Sequence, residues 1–449
     1  MNFSKLLRKN IKPSPGCTEV VSIGLASSLA YHAITGYIPS WLSSKRKRST
    51  SSLNFSKISK IIIEVDRNVY KNSFAVGIPG GDGYGIELAA ALGTQCNPEC
   101  KSGEELKIFQ RMENKGKEIA KSIINKRKIA IKVVDTWTGV SDISITVRVK
   151  SGKKYGIAKI KHYHDNVTFL RNNKEKLYEK AKNLSKEQDS DIEKLSTMTI
   201  EEMIKGVEKL SKDDKKFLLE SIEKNKKAHQ VGIKKRLGLG IGITLKELIN
   251  DGVLADDVTN NAKVKAGAAV DARMSGYNIP IMICAGSGNQ GIVVSNSLLA
   301  VHEKYKKGED KLAKAFALSH LVTLYASKHI GWLSALCGAP TKAGIGATAG
   351  ITYYLGGISE EINRAINHTA ANSTGIICDG AKVGCAEKII TSVEVAIQSA
   401  LFALRGLDVP KNNGIIAERA EDTIKNIGLV SKGMIPTDKT IVEIIKSKK

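Results

Sequence analysis

The stretch ISITVRVKSGKKYGIAKIKHYHDNVTFL, residues 143–170, decides the fold class of this 449-residue chain. It is rich in β-branched residues, and turn residues such as Ser151-Gly152 interrupt it. This pattern predicts consecutive strands over 143–149, 155–162 and 167–170. Two more strands, at 61–65 and 129–134, are predicted upstream.

Helices are predicted around these strands. One spans about 18–36, opened by Thr18 and Glu19, and a second, alanine-rich one spans 86–92. A charged helix is predicted over roughly 103–126. The expected organisation begins with an N-terminal helix and a polar basic loop over 1–57, followed by an α+β domain over 58–172.

The second half of the chain has a different amino-acid composition. Residues 173–235 are rich in lysine and glutamate with helical periodicity, which predicts a charged helical connection. From Gly238 onward the chain is rich in glycine and alanine and contains no convincing strand, so 236–449 is predicted to be a large helical domain. The fold class is therefore α+β.

Amino-acid composition and net charge bear on whether the protein binds nucleic acid. The net charge of +24 suggests nucleic-acid binding, but only 5% of residues are aromatic and the lysines are spread along the chain. The basic cluster Lys45–Arg48 lies in a serine-rich stretch that predicts a solvated loop. Nucleic acid is therefore not the expected partner.

Localisation follows from two features. The apolar run 330–358 is long enough to cross a bilayer, but Pro340 and Lys342 interrupt it, so we expect buried helix and turn instead. Seven cysteines without a secretory signal indicate a reducing compartment, and the chain is expected to be cytoplasmic.

Cys337, Cys378 and Cys385 lie in glycine-flanked turns of the helical domain. Three thiolates that converge on iron, with a fourth position open, are what a catalytic iron–sulfur cluster requires. Spacing alone also allows buried cysteines in a crowded helical core. The residues by themselves leave both interpretations open.

Other motifs give weaker evidence of a functional site. The turn Gly286–Gly291 leads into an apolar helix, whose N-terminal N–H groups could bind a carboxylate. Cys17 lies at a predicted helix start, where the pKa of a thiol tends to fall, which makes it a candidate nucleophile or base. Cys96 and Cys100 could chelate metal, and His162 and His164 share one face at a strand end.

Together these motifs resemble the L-cysteine desulfidases, relatives of the α-chain of iron–sulfur L-serine dehydratases. The resemblance rests on blocks in the family's order: Pro-Gly-Cys17-Thr-Glu19, Asn68-Val-Tyr-Lys71-Asn72, Val76-Gly-Ile-Pro-Gly80, residues 89–93, His164-Asp-Asn-Val, Gly286-Ser-Gly-Asn-Gln-Gly291, Cys337-Gly with Ala343-Gly-Ile-Gly-Ala, and Cys378-Asp-Gly-Ala-Lys382-Val-Gly-Cys385. One departure is Val20, where the family usually has proline. It puts the identity of the substrate in doubt more than the reaction type.

The resemblance implies one oxygen-sensitive [4Fe–4S] cluster per chain, held by Cys337, Cys378 and Cys385, with Cys17 as the proton acceptor. It implies β-elimination of L-cysteine to pyruvate, ammonia and hydrogen sulfide without pyridoxal phosphate. Cys284 is expected not to be a ligand. The remaining roles are assigned in the same framework: Ser287, Asn289, Gln290 and Lys382 to the substrate carboxylate, and His164 or Asn166 to the ammonium group or a proton relay.

Three alternatives remain at this stage. An iron–sulfur L-serine dehydratase would differ only in the leaving group. A pyridoxal-phosphate lyase would need a Schiff-base lysine, for which no convincing context exists. A non-catalytic iron–sulfur or nucleic-acid-binding protein would use the cluster and the charge structurally. Assembly into a homo-oligomer is left open.

Overall fold

The computed structural model describes residues 1–43, 57–113, 115–134, 143–180 and 186–448. The α+β class is confirmed: a mixed sheet with its helices forms the N-terminal part, and helices form nearly all of the C-terminal part. The basic cluster Lys45–Arg48, predicted to be a solvated loop, lies outside the described residues.

The strands are β1 (Pro13–Pro15), β2 (Ile58–Val65), β3 (Ile129–Val133), β4 (Ser144–Ser151), β5 (Lys154–Lys161), β6 (Val167–Asn172), β7 (Lys176–Glu179) and β8 (Pro280–Met282). The helices are α1 (Phe3–Asn10), α2 (Thr18–Ala33), α3 (Arg67–Ser73), α4 (Ile86–Gly93), α5 (Gly116–Asn125), α6 (Lys186–Ser196), α7 (Ile200–Val207), α8 (Lys212–Lys234), α9 (Ile241–Asn250), α10 (Val258–Met274), α11 (Gly288–Tyr305), α12 (Glu309–Ile330), α13 (Ile345–Leu355), α14 (Ser359–Ser373), α15 (Cys385–Leu404), α16 (Ala420–Gly433) and α17 (Ile435–Ser447).

Within the described residues, the main sheet has the strand order β3-β2-β4-β5-β6-β7. The β2–β3 pair is parallel, and the other neighbours are antiparallel. Helix α2 packs on this sheet, and every one of its residues is buried. Gly156 in β5 allows the close approach, since a Cβ there would lie 1.9 Å from the carbonyl oxygen of Ala30.

The predicted strands from residue 129 to 170 are confirmed within one or two residues at each end. The prediction of one helix over 103–126 is wrong. A 3-10 helix spans Glu105–Arg111, and α5 begins only after Lys115, whose φ of 63° places it in the left-handed region. The prediction of no strand after Gly238 is also wrong, because β8 is a short strand there.

The N-terminal segment crosses to the helical part. β1 pairs antiparallel with β8, with Pro13 opposite Met282 and Pro15 opposite Pro280. This pairing brings the segment that carries Cys17 next to the turn that precedes α11. Two distant motifs of the sequence thereby share one region of the fold.

The charged segment 173–235 contributes α8 to the helical body. One face of α8 is buried against α10, and the side chain of Asn225 bonds both the N–H and the carbonyl of Met282. The apolar run 330–358 forms turns, a π-helical stretch (Ala339–Gly344) and α13. No helix in the described part of the chain is both long and apolar enough to span a membrane.

Candidate active site

Cys337 and Cys378 are brought together by a short antiparallel bridge between two loops. The bridge pairs Leu336 with Ile377. The N–H of Cys337 donates to the carbonyl of Ile376 at 2.8 Å, and the N–H of Cys378 donates to the carbonyl of Ala335 at 2.6 Å. The backbone therefore fixes these two cysteines side by side.

Cys385 joins them as the first residue of α15. Its N–H donates to the carbonyl of Lys382 at 2.9 Å. Burial raises the pKa of the Cys337 thiol, and negative charge on Cys378 and Cys385 raises it further, to about 12. Burial also raises the pKa of Cys385, and Cys378 adds to that shift. The three thiols predicted as ligands thus lie within electrostatic reach of one another.

The three side chains are of the kind that holds an iron–sulfur cluster. No group of three His, Cys, Asp or Glu side chains in the described ranges is arranged to hold one metal ion. Iron–sulfur clusters are held by cysteine thiolates, and several irons spread these ligands apart. Three thiols on glycine-flanked loops fit such a cluster.

Buried cations surround the three cysteines. The Nζ of Lys342, 2% exposed, donates to the carbonyls of Gly331 at 2.8 Å and Trp332 at 3.1 Å. Burial lowers the pKa of Lys342 to about 8, although Cys378 and Cys337 act in the opposite direction. Positive charge at this position would stabilise thiolates.

Lys71 ties the Cys378 loop to the C-terminal helix. Its Nζ donates to the carbonyl of Cys378 at 3.0 Å, to the carbonyl of Ser334 at 3.2 Å and to Asp438 at 2.5 Å. The side chains of Lys71 and Asp438 are each 1% exposed. The carbonyl of Lys71 also packs against Gly380, where a Cβ would lie only 2.2 Å away. This glycine has a φ of 98°, in the region that favours glycine.

Cys17 is the N-cap residue of α2 and is 2% exposed. Its thiol donates to Oε2 of Glu19 at 2.8 Å. Burial and the charge of Glu19 raise the pKa of Cys17 well above its usual value. The expectation that the helix start lowers this pKa is therefore wrong, because desolvation outweighs the helix terminus.

Glu19, which was named in the sequence as part of the Cys17 block but was given no chemical role, is a buried carboxylate of this region. It accepts hydrogen bonds from Cys17, from Oγ1 of Thr18 at 3.1 Å and from Nδ2 of Asn72 at 3.0 Å. Burial raises the pKa of Glu19, but His164, Cys17 and Arg273 together lower it below its usual value. Glu19 is therefore ionised at neutral pH.

His164 lies near this pair. Its Nε2 is 3.9 Å from Oε1 of Glu19 and has no hydrogen-bond partner among the described residues. Burial lowers the pKa of His164, although Glu19 opposes that shift. An imidazole nitrogen without a partner in that set, next to a buried carboxylate, is a candidate for proton transfer.

Arg273, at the end of α10, is the second residue that sequence reasoning missed. It is 3% exposed, and its Nη2 donates to the carbonyl of Gly16 at 2.9 Å while Nη1 donates to Oδ1 of Asn289 at 2.8 Å. It lowers the pKa of Cys17 and of Cys385, though burial dominates both. Arg273 thus bonds both the turn that carries Cys17 and the Gly286–Gly291 turn, and it acts electrostatically on Cys385. No sequence motif marks it, since it lies in a helix without an unusual pattern.

The Gly286–Gly291 turn supplies the start of α11. Ser287 is its N-cap residue but makes no side-chain cap bond. Asn289 accepts from Arg273, and Gln290 is buried with its Oε1 unpartnered among the described residues. The Nε2 of Gln290 would lie 3.0 Å from a Cβ on Gly338, which places it beside Cys337. The structure thus brings this turn together with Cys17 and the cysteine loops.

Lys382 and Asn166, which were predicted to contact the substrate, form hydrogen bonds or ion pairs with other residues of the protein. Nζ of Lys382 lies 2.6 Å from Asp379 and donates to the carbonyl of Gly380 at 3.2 Å. Asn166 uses both ends of its amide: Nδ2 donates to the carbonyl of Lys161 at 2.8 Å, and Oδ1 accepts from Lys180 at 2.6 Å. Lys382 is near Cys385, whereas Asn166 stabilises a strand connection.

The other cysteines have separate environments. Cys96 is buried, and its thiol donates to the carbonyl of Leu92 at 3.2 Å. Burial raises the pKa of Cys96 to about 12 and of Cys100 to about 11. Cys284 is buried in the tight turn that it forms with Ser287. Its exclusion as a cluster ligand stays a prediction.

Comparison with known proteins identifies the family to which the sequence is similar. The sequence profile of the family described as serine dehydratase alpha chain matches residues 104–443. A UPF0597 protein of Clostridioides difficile (strain 630) is 35% identical over 446 residues, which cover 98% of each chain. A UPF0597 protein of Clostridium perfringens (strain SM101 / Type A) is 36% identical over 448 residues, covering 100% of this chain and 98% of the relative.

Proposed function

Since this chain belongs to the serine dehydratase alpha chain family, we propose that it is an iron–sulfur lyase that removes the β-substituent of a small L-amino acid. L-Cysteine is the proposed substrate, with pyruvate, ammonia and hydrogen sulfide as products. The observation that carries the proposal is the convergence of Cys337, Cys378 and Cys385 beside a buried Cys17–Glu19 pair.

Cys337, Cys378 and Cys385 would hold a [4Fe–4S] cluster. When bound, the cluster supplies a Lewis-acidic iron that eases departure of the β-substituent. Lys342 and Lys71 would offset the negative charge of the thiolates, and the backbone bridge between Leu336 and Ile377 keeps the ligand loops in place.

Cys17 removes the α-proton of the substrate in this proposal. Its own S–H bonds to the ionised Glu19, so Glu19 is positioned to take up the thiol proton as the thiolate forms. An α-proton is a weak acid, which is why a positioned base and an electrophile must act together. Arg273 favours the thiolate form of Cys17.

The reaction balances without a further reactant other than water. The Cα–H and Cβ–S bonds of L-cysteine break, and the proton and the thiolate leave together as hydrogen sulfide. The 2-aminoacrylate that remains tautomerises to the imine, and water hydrolyses it to pyruvate and ammonia. The electron pair of the Cα–H bond becomes the new double bond, so no oxidant is required.

L-Serine is the second candidate substrate. The name of the matching family favours it, and the same residues would perform the elimination with hydroxide as the leaving group. The two reactions differ only in the leaving group, which is sulfide for L-cysteine and hydroxide for L-serine. It therefore requires a direct comparison of the two substrates.

The test is an anaerobic assay of the reconstituted full-length protein with L-cysteine and L-serine side by side. Sulfide and pyruvate are followed with L-cysteine, and pyruvate is followed with L-serine. We expect pyruvate from L-cysteine with an equal amount of sulfide and at a higher kcat/KM than from L-serine. A higher kcat/KM for L-serine would make L-serine, and not L-cysteine, the substrate. If neither amino acid gave pyruvate, the proposal that the protein is a lyase would be wrong.

A further inference from the structure

Arg273 is a buried cation that acts electrostatically on Glu19 but has no carboxylate within 4.0 Å among the described residues. Its guanidinium is 3% exposed, and its partners among the described residues are neutral: the carbonyl of Gly16, Oδ1 of Asn289 and the sulfur of Met274. Its Nε has no hydrogen-bond partner in the same set. A buried charge is costly unless it is paired, so this arrangement is suited to an anion that arrives from outside.

The position of the unpartnered nitrogen indicates where such an anion would bind. A Cβ on Gly288 would lie 2.2 Å from Nε of Arg273, so the guanidinium packs directly on the first residue of α11. Ser287, the N-cap residue of this 18-residue helix, makes no side-chain cap bond, so its hydroxyl does not occupy the first-turn N–H groups. Free N–H groups and the positive end of the helix dipole both favour a negative ligand.

The neighbours of Arg273 match the rest of an α-amino acid. Gln290, two residues further along α11, is 4% exposed and has an Oε1, unpartnered among the described residues, that could accept from an ammonium group. Arg273 also acts electrostatically on Cys17 and on Cys385. Because Nη2 of Arg273 bonds the carbonyl of Gly16, an anion bound to Arg273 would lie close to the turn that carries Cys17.

The competing cations are already engaged. Lys382 forms an ion pair with Asp379 at 2.6 Å, and Lys71 forms one with Asp438. Lys342 donates to two backbone carbonyls. Unlike Lys382 and Lys71, Arg273 has no carboxylate within 4.0 Å among the residues described, and unlike Lys342 it lies at the start of α11 with its Nε–H unpartnered there.

We propose that Arg273, together with the first turn of α11, binds the α-carboxylate of the substrate. The inference rests on the proposed function for the identity of the ligand as an amino acid. It replaces Lys382, which sequence reasoning offered for this role. A planar guanidinium suits a carboxylate because two parallel N–H donors can meet its two oxygens.

The test measures binding with L-alanine, which has the amino-acid groups but no β-leaving group. Calorimetry on the anaerobically reconstituted protein compares L-alanine with L-alaninamide, whose carboxylate is replaced by a neutral amide. Wild type should prefer L-alanine. In Arg273→Gln the affinity for L-alanine should fall by roughly 10- to 100-fold, as expected for a lost hydrogen bond to a charged group. The affinity for L-alaninamide should change little.

Arg364→Gln is the matched control. Arg364 is also poorly exposed and also has an unpartnered Nε among the described residues, but it pairs with Glu361 at 3.0 Å on α14. Its replacement should leave the affinity for L-alanine unchanged. The visible absorption and the thermal unfolding of each variant show whether the fold and the cluster are retained.

Two further variants keep the test decisive if Arg273→Gln does not fold. Arg273→Lys keeps the charge but loses the paired donors, and Gly288→Ala keeps the arginine but forces it to move, since the new methyl would overlap Nε. Both should weaken binding of L-alanine more than of L-alaninamide. The inference would be overturned if the folded variants preferred L-alanine over L-alaninamide as strongly as wild type does. It would also be overturned if wild type showed no preference between the two. Failure of the turnover assay with carboxylate-dependent binding intact would reject the proposed function alone.

Discussion

The thiol of Cys17 lies 2.8 Å from Oε2 of Glu19, and both residues are buried. Because burial and the charge of Glu19 raise the pKa of Cys17, the sulfur is protonated at neutral pH and donates to the carboxylate. The pKa of Glu19 is lowered by His164, Cys17 and Arg273 against the effect of its own burial. The proposed base is thus a pair of residues, and not an isolated thiolate at a helix terminus.

Cys17→Ser should keep the cluster and lose proton abstraction. A serine hydroxyl can still donate to Glu19, but it is a far poorer base, so α-hydrogen exchange should fall by roughly 10²- to 10⁴-fold. Exchange of the α-hydrogen of L-alanine in deuterated water is measured beside the visible absorption spectrum. Wild-type exchange rates in the variant would contradict the role of Cys17 as base. A spectrum that changes before substrate is added would make Cys17 a ligand of iron.

Asp438→Asn should destabilise the protein and loosen the Cys378 loop. It removes the charged partner of Lys71 in a pair whose side chains are each 1% exposed, and breaking such a pair costs about 3–5 kcal/mol. Urea unfolding measures the loss, and iron release in air should be faster. The double variant Lys71→Met/Asp438→Leu should recover much of the stability but not the bond to the carbonyl of Cys378.

The control for this pair is Glu418→Gln. Glu418 pairs with Lys411 at the surface, where the two side chains are 78% and 70% exposed, so solvent screening makes the pair weak. Urea unfolding should detect no change in this variant. Equal losses in Asp438→Asn and Glu418→Gln would show that burial does not strengthen the Lys71–Asp438 pair.

Gly380→Ala should cost more than Gly406→Ala, although both glycines are in the left-handed region. The φ values are 98° for Gly380 and 81° for Gly406, so each alanine has a backbone penalty of about 1–2 kcal/mol. Only at Gly380 would the new methyl meet the carbonyl of Lys71, at 2.2 Å, whereas the space at Gly406 is open. Iron content after anaerobic purification should fall in Gly380→Ala alone. Full iron content in that variant would contradict the tight packing of the ligand loop.

His320→Leu should make the protein less sensitive to acid. His320 is 1% exposed, neither ring nitrogen has a partner among the described residues, and burial lowers its pKa from 6.5 to about 3. As the pH falls below about 6.5, the unfolded chain takes up this proton before the folded chain does, so stability is lost. Between pH 7 and pH 5 the variant should therefore lose about 2 kcal/mol less free energy of unfolding than wild type. Parallel pH profiles of wild type and variant would show that His320 is not buried as a neutral ring.

The sequence predicted the strands and the α+β class because period and residue type carry that information locally. Residues 143–170 alternate β-branched and polar residues, and the strands lie there within one or two residues. The break between the 3-10 helix and α5 was missed because it depends on the left-handed conformation of Lys115, a residue that gives no local indication of it.

The site was only partly predictable for a similar reason. The cysteines and the Gly286–Gly291 turn stand in recognisable blocks. Glu19 stands in the Cys17 block, but nothing there marks it as a buried carboxylate, and Arg273 is an ordinary helix residue in the sequence. Their importance depends on long-range contacts, such as the bond from Arg273 to the carbonyl of Gly16 across 257 positions. Asn166 and Lys382 were chosen by position. The bond from Lys180 to Asn166 spans 14 positions, whereas Asp379, which pairs with Lys382, is a close neighbour in the sequence that was not considered.

The most direct test of the account is the iron and acid-labile sulfide content of single cysteine variants purified without air. Wild type and Cys284→Ala should each hold about four iron and four sulfide per chain, and Cys337→Ala, Cys378→Ala and Cys385→Ala should each lose the brown colour and most of the iron. Thermal unfolding of each protein shows that it is folded. A full cluster in any of the three variants would remove that residue from the ligand set, and no iron in wild type would contradict the account as a whole.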